Sequence, residues 1–112
     1  MVEVKTGPVR TSGYALKLRR VINAAFRDLY KEGKVDPRKV NDVVTELNKK
    51  IYEVLVGKFE VPKEAVVNIV ADVEPSGDSI AIKNIEVEVW DKDEILSKNV
   101  TKEVQEKLGI KG

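Results

Sequence analysis

Four cations recur along one stretch of the chain, Lys17, Arg20, Arg27 and Lys31. At 100° per residue they fall within a helical sector of about 80°. A row of cations on one helix face, continued by Arg10 and Lys5 on the preceding segment, suits a polyanion backbone, whose phosphates Lys and Arg neutralise with release of counterions. The same row also suits a solvated amphipathic face paired with carboxylates from elsewhere in the chain. The net charge of +1 hides a polarity: residues 1–31 hold seven basic groups against Glu3 and Asp28, net +5, whereas residues 32–112 hold 13 basic against 17 acidic, net −4. Two aromatic residues stand where they could assist. Tyr14 opens the basic stretch, and Trp90 shares the parity of Glu86 and Glu88, away from Ile85, Val87 and Val89. Either ring, with arginines nearby, could stack an unpaired base, worth about 1–3 kcal/mol per base. The alternative is packing, Tyr14 against a sheet and Trp90 in a subunit contact. Tyr30 stays open between the same alternatives; Phe26, Tyr52 and Phe59 read as packing residues.

Other chemistries are excluded or unsupported. The 112 residues contain no His and no Cys, which removes the usual zinc sites, cysteine nucleophiles, Ser-His-Asp triads and disulfides. Asp91-Lys92-Asp93-Glu94 lacks the further ligands and turn glycine of a calcium loop. Gly33-Lys34-Val35 lacks the preceding glycine and the hydroxyl residue of a phosphate-binding loop, and Asn99-Val100-Thr101 matches a glycosylation pattern without a secretion signal. No spacing singles out a carboxylate pair, lysine or tyrosine for catalysis, so the expectation is a non-enzyme with neither metal nor cofactor. No apolar run approaches the roughly 20 residues needed to span a bilayer, and the first residues lack a signal peptide's apolar segment, which predicts a soluble, cytoplasmic protein. High charge with a single Gln, Gln105, and one Met fits a thermophilic, archaeal source.

The elements that must position these residues follow from periodicity. Val2 to Thr11 reads as an extended strand that bends, or runs along a sheet edge, at Gly7-Pro8. Ser12 is placed to cap a helix from Gly13 to Glu32, with Leu18, Val21, Ile22, Ala25 and Leu29 on its apolar face and Gly33 ending it. Asp36-Pro37 starts a second helix, with Val35 and Val40 placed to close a hydrophobic staple. Its stripe is Val40, Val43, Val44, Leu47, Ile51, Val54 and Leu55, and Gly57 is expected to stop it. Two helices joined by four residues predict antiparallel neighbours. Val67, Ile69, Ala71 and Val73 then alternate as a strand, Pro75-Ser76-Gly77-Asp78 turns, and Ile80 to Asp91 returns. The apolar parity changes between Ile82 and Ile85, which predicts a β-bulge near Lys83-Asn84. A short helix from Asn99 to Leu108 closes at Gly109, with a frayed end over 109–112. The whole predicts one α+β domain over residues 1–112, a small antiparallel sheet packed against a helical hairpin in the order β-α-α-β-β-α. The apolar stripes look larger than one small sheet can cover, which predicts a homodimer or homotetramer.

The run Val9-Arg10-Thr11-Ser12-Gly13-Tyr14-Ala15-Leu16-Lys17-Leu18-Arg19-Arg20-Val21, with Glu46 to Val56 about 25 residues later, resembles the archaeal ThermoDBP-related proteins, relatives of a single-stranded DNA-binding protein of hyperthermophilic archaea. The resemblance spans roughly residues 5–92. It implies a helical layer on an antiparallel sheet, assembly into dimers or tetramers, and binding of single strands through basic and aromatic side chains. Together with the charge polarity, the expectation is a non-catalytic protein that binds single-stranded DNA, or RNA, with little sequence preference. Arg10, Tyr14, Lys17, Arg20, Arg27, Lys31 and Trp90 are its expected contacts. The rival reading is an oligomeric interaction module whose basic helix docks an acidic protein surface, and the carboxylate partners of the basic row decide between the two.

Overall fold

The computed structural model describes residues 1–90 and 94–110. Strands β1 (Val2–Lys5) and β2 (Val9–Arg10) both pair antiparallel with β3 (Val66–Ser76), which pairs on its other side with β4 (Ser79–Val89). Lys5 lies opposite Val70 and Val9 opposite Val67, so β1 and β2 are one edge strand that slips by a residue at Gly7-Pro8. Gly7 takes φ +69° there, a left-handed turn glycine adopts without a Cβ penalty. The bulge expected in β4 is present: Asp72 opposes Asn84 and Val73 opposes Ile82, leaving Lys83 as the extra residue. That single insertion explains why both Ile80 and the Ile85, Val87 and Val89 set reach the same buried face.

The helices pack on that face. Helix α1 (Tyr14–Ala25) lies over β1 and β2, and α3 (Pro37–Tyr52) over β4. Asp36 caps α3 by accepting from the Arg38 N–H at 2.9 Å, with Pro37 in the first turn and both Val35 and Val40 buried. The Arg38 N–H and guanidinium hold the Asp36 carboxyl below the usual carboxylate range. A depressed folded-state value stabilises above the ordinary range and is lost as pH falls through it. Asp36→Asn, which keeps a capping oxygen, is therefore expected to flatten the acid limb of stability while leaving neutral-pH stability nearly unchanged, as read by thermal melts across pH.

Three boundaries differ from expectation. Ser12 does not cap α1: Thr11–Gly13 form a 3₁₀ turn tied to β3 by the Thr11 N–H and hydroxyl, both donating to the Ala65 carbonyl at 2.8 and 2.9 Å. The first helix breaks at Phe26 and resumes as α2 (Arg27–Lys31), so Phe26 takes the buried position and Ala25 is exposed. The break follows Asn23, whose side-chain amide donates to the Arg19 carbonyl at 3.0 Å in competition with the helical ladder. Gly57 does not stop the second helix: Glu53–Lys58 continue as a wider π turn that buries both Val54 and Leu55, and the left-handed residue is Glu60, φ 52°.

The last helix, α4 (Glu94–Lys107), starts five residues earlier than periodicity suggested. Its register is set by a polar stripe as well as by buried Val100 and Val104. Ser97 accepts from the Val89 N–H at 2.7 Å and donates to the Val89 carbonyl at 3.0 Å. Thr101 does the same for Val87, both at 2.7 Å, and the Gln105 amide donates to the Ile85 carbonyl at 2.9 Å. Four helical residues rise about 6 Å and two strand residues about 6.6 Å, so hydroxyl and amide groups at i, i+4 and i+8 meet alternate residues of an antiparallel strand. The free edge of β4 is thereby capped without a fifth strand. Thr101→Val, of similar shape, leaves the Val87 N–H and carbonyl unpaired and is expected to cost about 1–3 kcal/mol in urea unfolding.

Past α4, Gly109 takes φ +74° and the Ile110 N–H donates to the Gln105 carbonyl at 2.9 Å, so the predicted fraying does not reach Ile110; residues 111–112, like the Asp91-Lys92-Asp93 run, lie outside the described residues. The apolar stripes are not in surplus. Leu18, Ile22, Val40, Val44, Ile51, Ile69, Ile85 and Val100 are all fully buried within one chain, because β3 and β4 are each 11 residues long and α4 adds a further layer.

Candidate nucleic-acid interface

A polar seam fixes how the two long helices present their outer face. The Tyr14 hydroxyl donates to the Asn48 carbonyl at 2.8 Å and the Asn48 amide to the Ala15 carbonyl at 3.1 Å. One turn further, the Arg19 guanidinium donates to Asn41 Oδ1 and Thr45 Oγ1, each at 2.8 Å, while Tyr30 reaches Asn23 Oδ1 at 2.6 Å. These pairings make α1 and α3 antiparallel, as the short connection predicted. They also use up Arg19 and leave its neighbours free to point outward.

Arg20, Arg27 and Lys31 are exposed and Lys17 is partly so. None of the four has a carboxylate partner among the described residues, whereas Lys34, Arg38, Lys39, Lys58, Lys83 and Lys107 are each ion-paired. The basic row therefore keeps its charge available to a ligand. The bend at Phe26 turns Arg27 and Lys31 off the α1 axis, so the row is angled and not the straight line of an ideal helix.

The other expected contacts lie elsewhere. Tyr14 is 3% exposed and its hydroxyl is engaged, so no base can stack on it. Burial, reinforced by the nearby Tyr52 hydroxyl, pushes its ionisation well above the ordinary tyrosine value. Trp90 is 48% exposed and stands one residue past the end of β4. Its backbone N–H donates to the Val66 carbonyl at 2.8 Å, and Arg10 pairs with Val66 from the other side. Arg10 and Trp90 thus meet β3 at the same residue, Val66, Arg10 from β2 and Trp90 from the end of β4. Trp90 borders an open hollow of about 420 Å³ shared with Val61, Pro62, Ala65 and Leu96. Along β1, β3 and β4 the outward face of the sheet carries Glu3, Asp72, Glu86 and Glu88, with Lys98 and Lys102 of α4 lining the same hollow as the last two. Lys5, read as an extension of the row, is ion-paired with Glu3 at 3.4 Å on the same face.

Tyr52, read as packing, is 55% exposed, one turn beyond Asn48 and near Tyr14 at the start of α1; Leu16 on α1 is 66% exposed. The signal was available, since Tyr52 stands one residue off the stripe of Leu47, Ile51 and Leu55. Tyr52 and Lys49 on α3, and Leu16 and Arg20 on α1, give the two-helix hairpin exposed apolar side chains as well as exposed cations.

The sequence profile of the ThermoDBP-related family of archaea matches residues 4–81, from β1 into β4. The chain belongs to that family. The structure of apeThermo-DBP-RP2 bound to ssDNA dT10 is similar over 80% of this chain, with a TM-score of 0.76 and 35% identity, and this chain covers 42% of it. The structure of pfuThermo-DBP-RP1 (crystal form II) is similar over 95%, with a TM-score of 0.69 and 37% identity, and is covered to 70%. The chain thus spans about two fifths of the first relative's length. No curated protein matches it. The family match stops short of α4, so the helix that caps the β4 edge lies outside the matched segment.

Proposed function

We propose that the chain binds single-stranded DNA without sequence preference and carries out no covalent chemistry. The reading is supported above all by the unpaired basic row on a fold whose relative at 35% identity was crystallised with ssDNA dT10. Lys17, Arg20, Arg27 and Lys31 neutralise backbone phosphates, which carries affinity but no sequence information. Tyr52 supplies a stacking surface on the same side in place of Tyr14, and stacking is indifferent to base identity because every base has a π face. Arg10 and Trp90, both bonded to Val66 of β3, are left outside this contact set.

The test is fluorescence anisotropy of labelled oligo(dT), oligo(rU) and duplex DNA at low and moderate salt, with Trp90 emission followed in parallel. Binding that favours oligo(dT), weakens with salt and leaves Trp90 emission unchanged is the expected result. Quenching of Trp90 would move the interface to the sheet corner. Absence of binding at low salt, where screening is least, would leave the row to an acidic protein surface.

A further inference from the structure

Helix α2 carries half of the basic row, Arg27 and Lys31, on five residues of which none is fully buried. Isolated helices need about 12–15 residues to persist in water, so a segment this short keeps its place only through contacts with the rest of the fold. Phe26 fixes the inner side of the break between α1 and α2 by sitting in the core. On the side that faces α3, a chain of hydrogen bonds crosses the break. The Tyr30 hydroxyl of α2 donates to Asn23 Oδ1 at 2.6 Å, and the Asn23 amide donates to Asn41 Oδ1 of α3 at 3.1 Å and to the Arg19 carbonyl at 3.0 Å. Asn41 Oδ1 also accepts from the Arg19 guanidinium at 2.8 Å, while the Asn41 amide donates to the Pro37 carbonyl at 2.9 Å.

Each link of this relay has one direction. A hydroxyl set against Asn23 Oδ1 can only donate there, which turns both Asn23 amide hydrogens toward Arg19 and Asn41. Asn23 and Arg19 fill the two lone pairs of Asn41 Oδ1, and the Asn41 amide turns back onto its own helix. Burial raises the ionisation of Tyr30 above the ordinary tyrosine value, which keeps its hydroxyl a donor. The Asn23 amide that competes with the helical ladder at Arg19 is also the group that ties α2 to α3, so one side chain serves both the break and the strut across it.

We propose, on the single-strand reading above, that Asn23 and Tyr30 are positioning residues for that binding. Their hydrogen bond sets the angle of α2 and holds Arg27 and Lys31 where a strand bound by Lys17 and Arg20 meets them. Neither residue touches a phosphate. Cations on a fixed segment give up little conformational freedom on binding, whereas the same cations on a swinging segment must be ordered before they contribute.

Tyr30→Phe tests the strut, because it removes one oxygen and keeps the ring in its packing. Anisotropy titration of oligo(dT) over a series of salt concentrations reads affinity and the slope of log K against log salt, and thermal melts read stability. Tyr30→Phe should lower affinity at low salt by about threefold to tenfold and flatten the slope by about 0.7, the share of one phosphate contact on a single strand. Asn23→Ala, which cuts the relay at its middle, should reproduce both changes. A residue that served stability alone would lower the melting temperature and leave the slope intact. Double-mutant cycles then separate the two halves of the row. In an Arg27→Ala, Lys31→Ala background Tyr30→Phe should have no further effect on affinity or slope, whereas in an Arg20→Ala background it should keep its full effect. A wild-type slope in Tyr30→Phe, or an effect that persists once Arg27 and Lys31 are gone, would overturn the strut and leave the basic row in place. A slope unchanged by Arg27→Ala, Lys31→Ala would remove α2 from the interface, and the strut with it.

Discussion

Phe26→Ala is expected to destabilise the protein by about 3–5 kcal/mol, the range for removing a large buried aromatic side chain. Phe26 is 1% exposed and is the bulkiest of the fully buried side chains. It also sits at the junction of α1 and α2, with φ −106° and ψ 10°, where its N–H reaches the Ile22 carbonyl at 3.3 Å and its carbonyl accepts from the Tyr30 N–H at 3.0 Å. Few apolar anchors hold the five-residue α2, none of whose residues is fully buried. The lost ring therefore removes core contacts and frees the segment carrying Arg27 and Lys31. Against a typical total of about 5–15 kcal/mol the loss is large enough to lower the urea midpoint steeply. A shift below about 1 kcal/mol would mean that neighbouring side chains close the gap, and that α2 is positioned by Tyr30 and Asn23 instead.

The contrast between Phe26 and the basic row shows which parts of this chain its sequence makes legible. Period-two and period-3.6 apolar patterns reflect burial directly, so β3, β4 and α3 emerged close to their true extents, and the change of parity around Lys83 located a single inserted residue. Elements fixed by polar contacts left weaker traces. The early start of α4 depends on Ser97, Thr101 and Gln105 meeting β4 backbone groups, a match between two periodicities that becomes visible only when strand and helix lie side by side. The kink at Phe26 and the π turn at Glu53–Lys58 are local departures from an ideal helix in which burial of Phe26, Val54 and Leu55 outweighs ladder regularity.

The candidate site divides along the same line. Charge position on a helix face is a matter of angle, so Lys17, Arg20, Arg27 and Lys31 could be grouped from spacing alone. Which aromatic joins them is a matter of tertiary placement. Tyr14 lies at the start of the same helix yet points inward to Asn48, and Trp90 lies past the end of β4 beside Val61, Pro62 and Leu96. Tyr52 comes near Tyr14 at the start of α1 only because α3 runs antiparallel to α1.

The double variant Arg20→Ala, Arg27→Ala should separate an electrostatic interface from a merely basic surface. Both guanidinium groups are exposed and neither has a carboxylate partner among the described residues, so their removal should change thermal stability by no more than a few tenths of a kcal/mol. Binding should respond very differently. Each phosphate contact on a single strand contributes about 0.7 to the slope of log K against log salt, so losing two should flatten the slope by about 1.4. Affinity at low salt should fall by one to two orders of magnitude, and the difference from wild type should narrow as salt rises, because the lost interactions are those that salt already weakens. Tyr52→Ala should behave in the opposite manner, lowering affinity by about 1–3 kcal/mol at every salt concentration while leaving the slope intact, since stacking releases no counterions. An unchanged slope in the arginine variant would remove the helical row from the interface and return attention to Arg10 and Trp90 at the sheet corner.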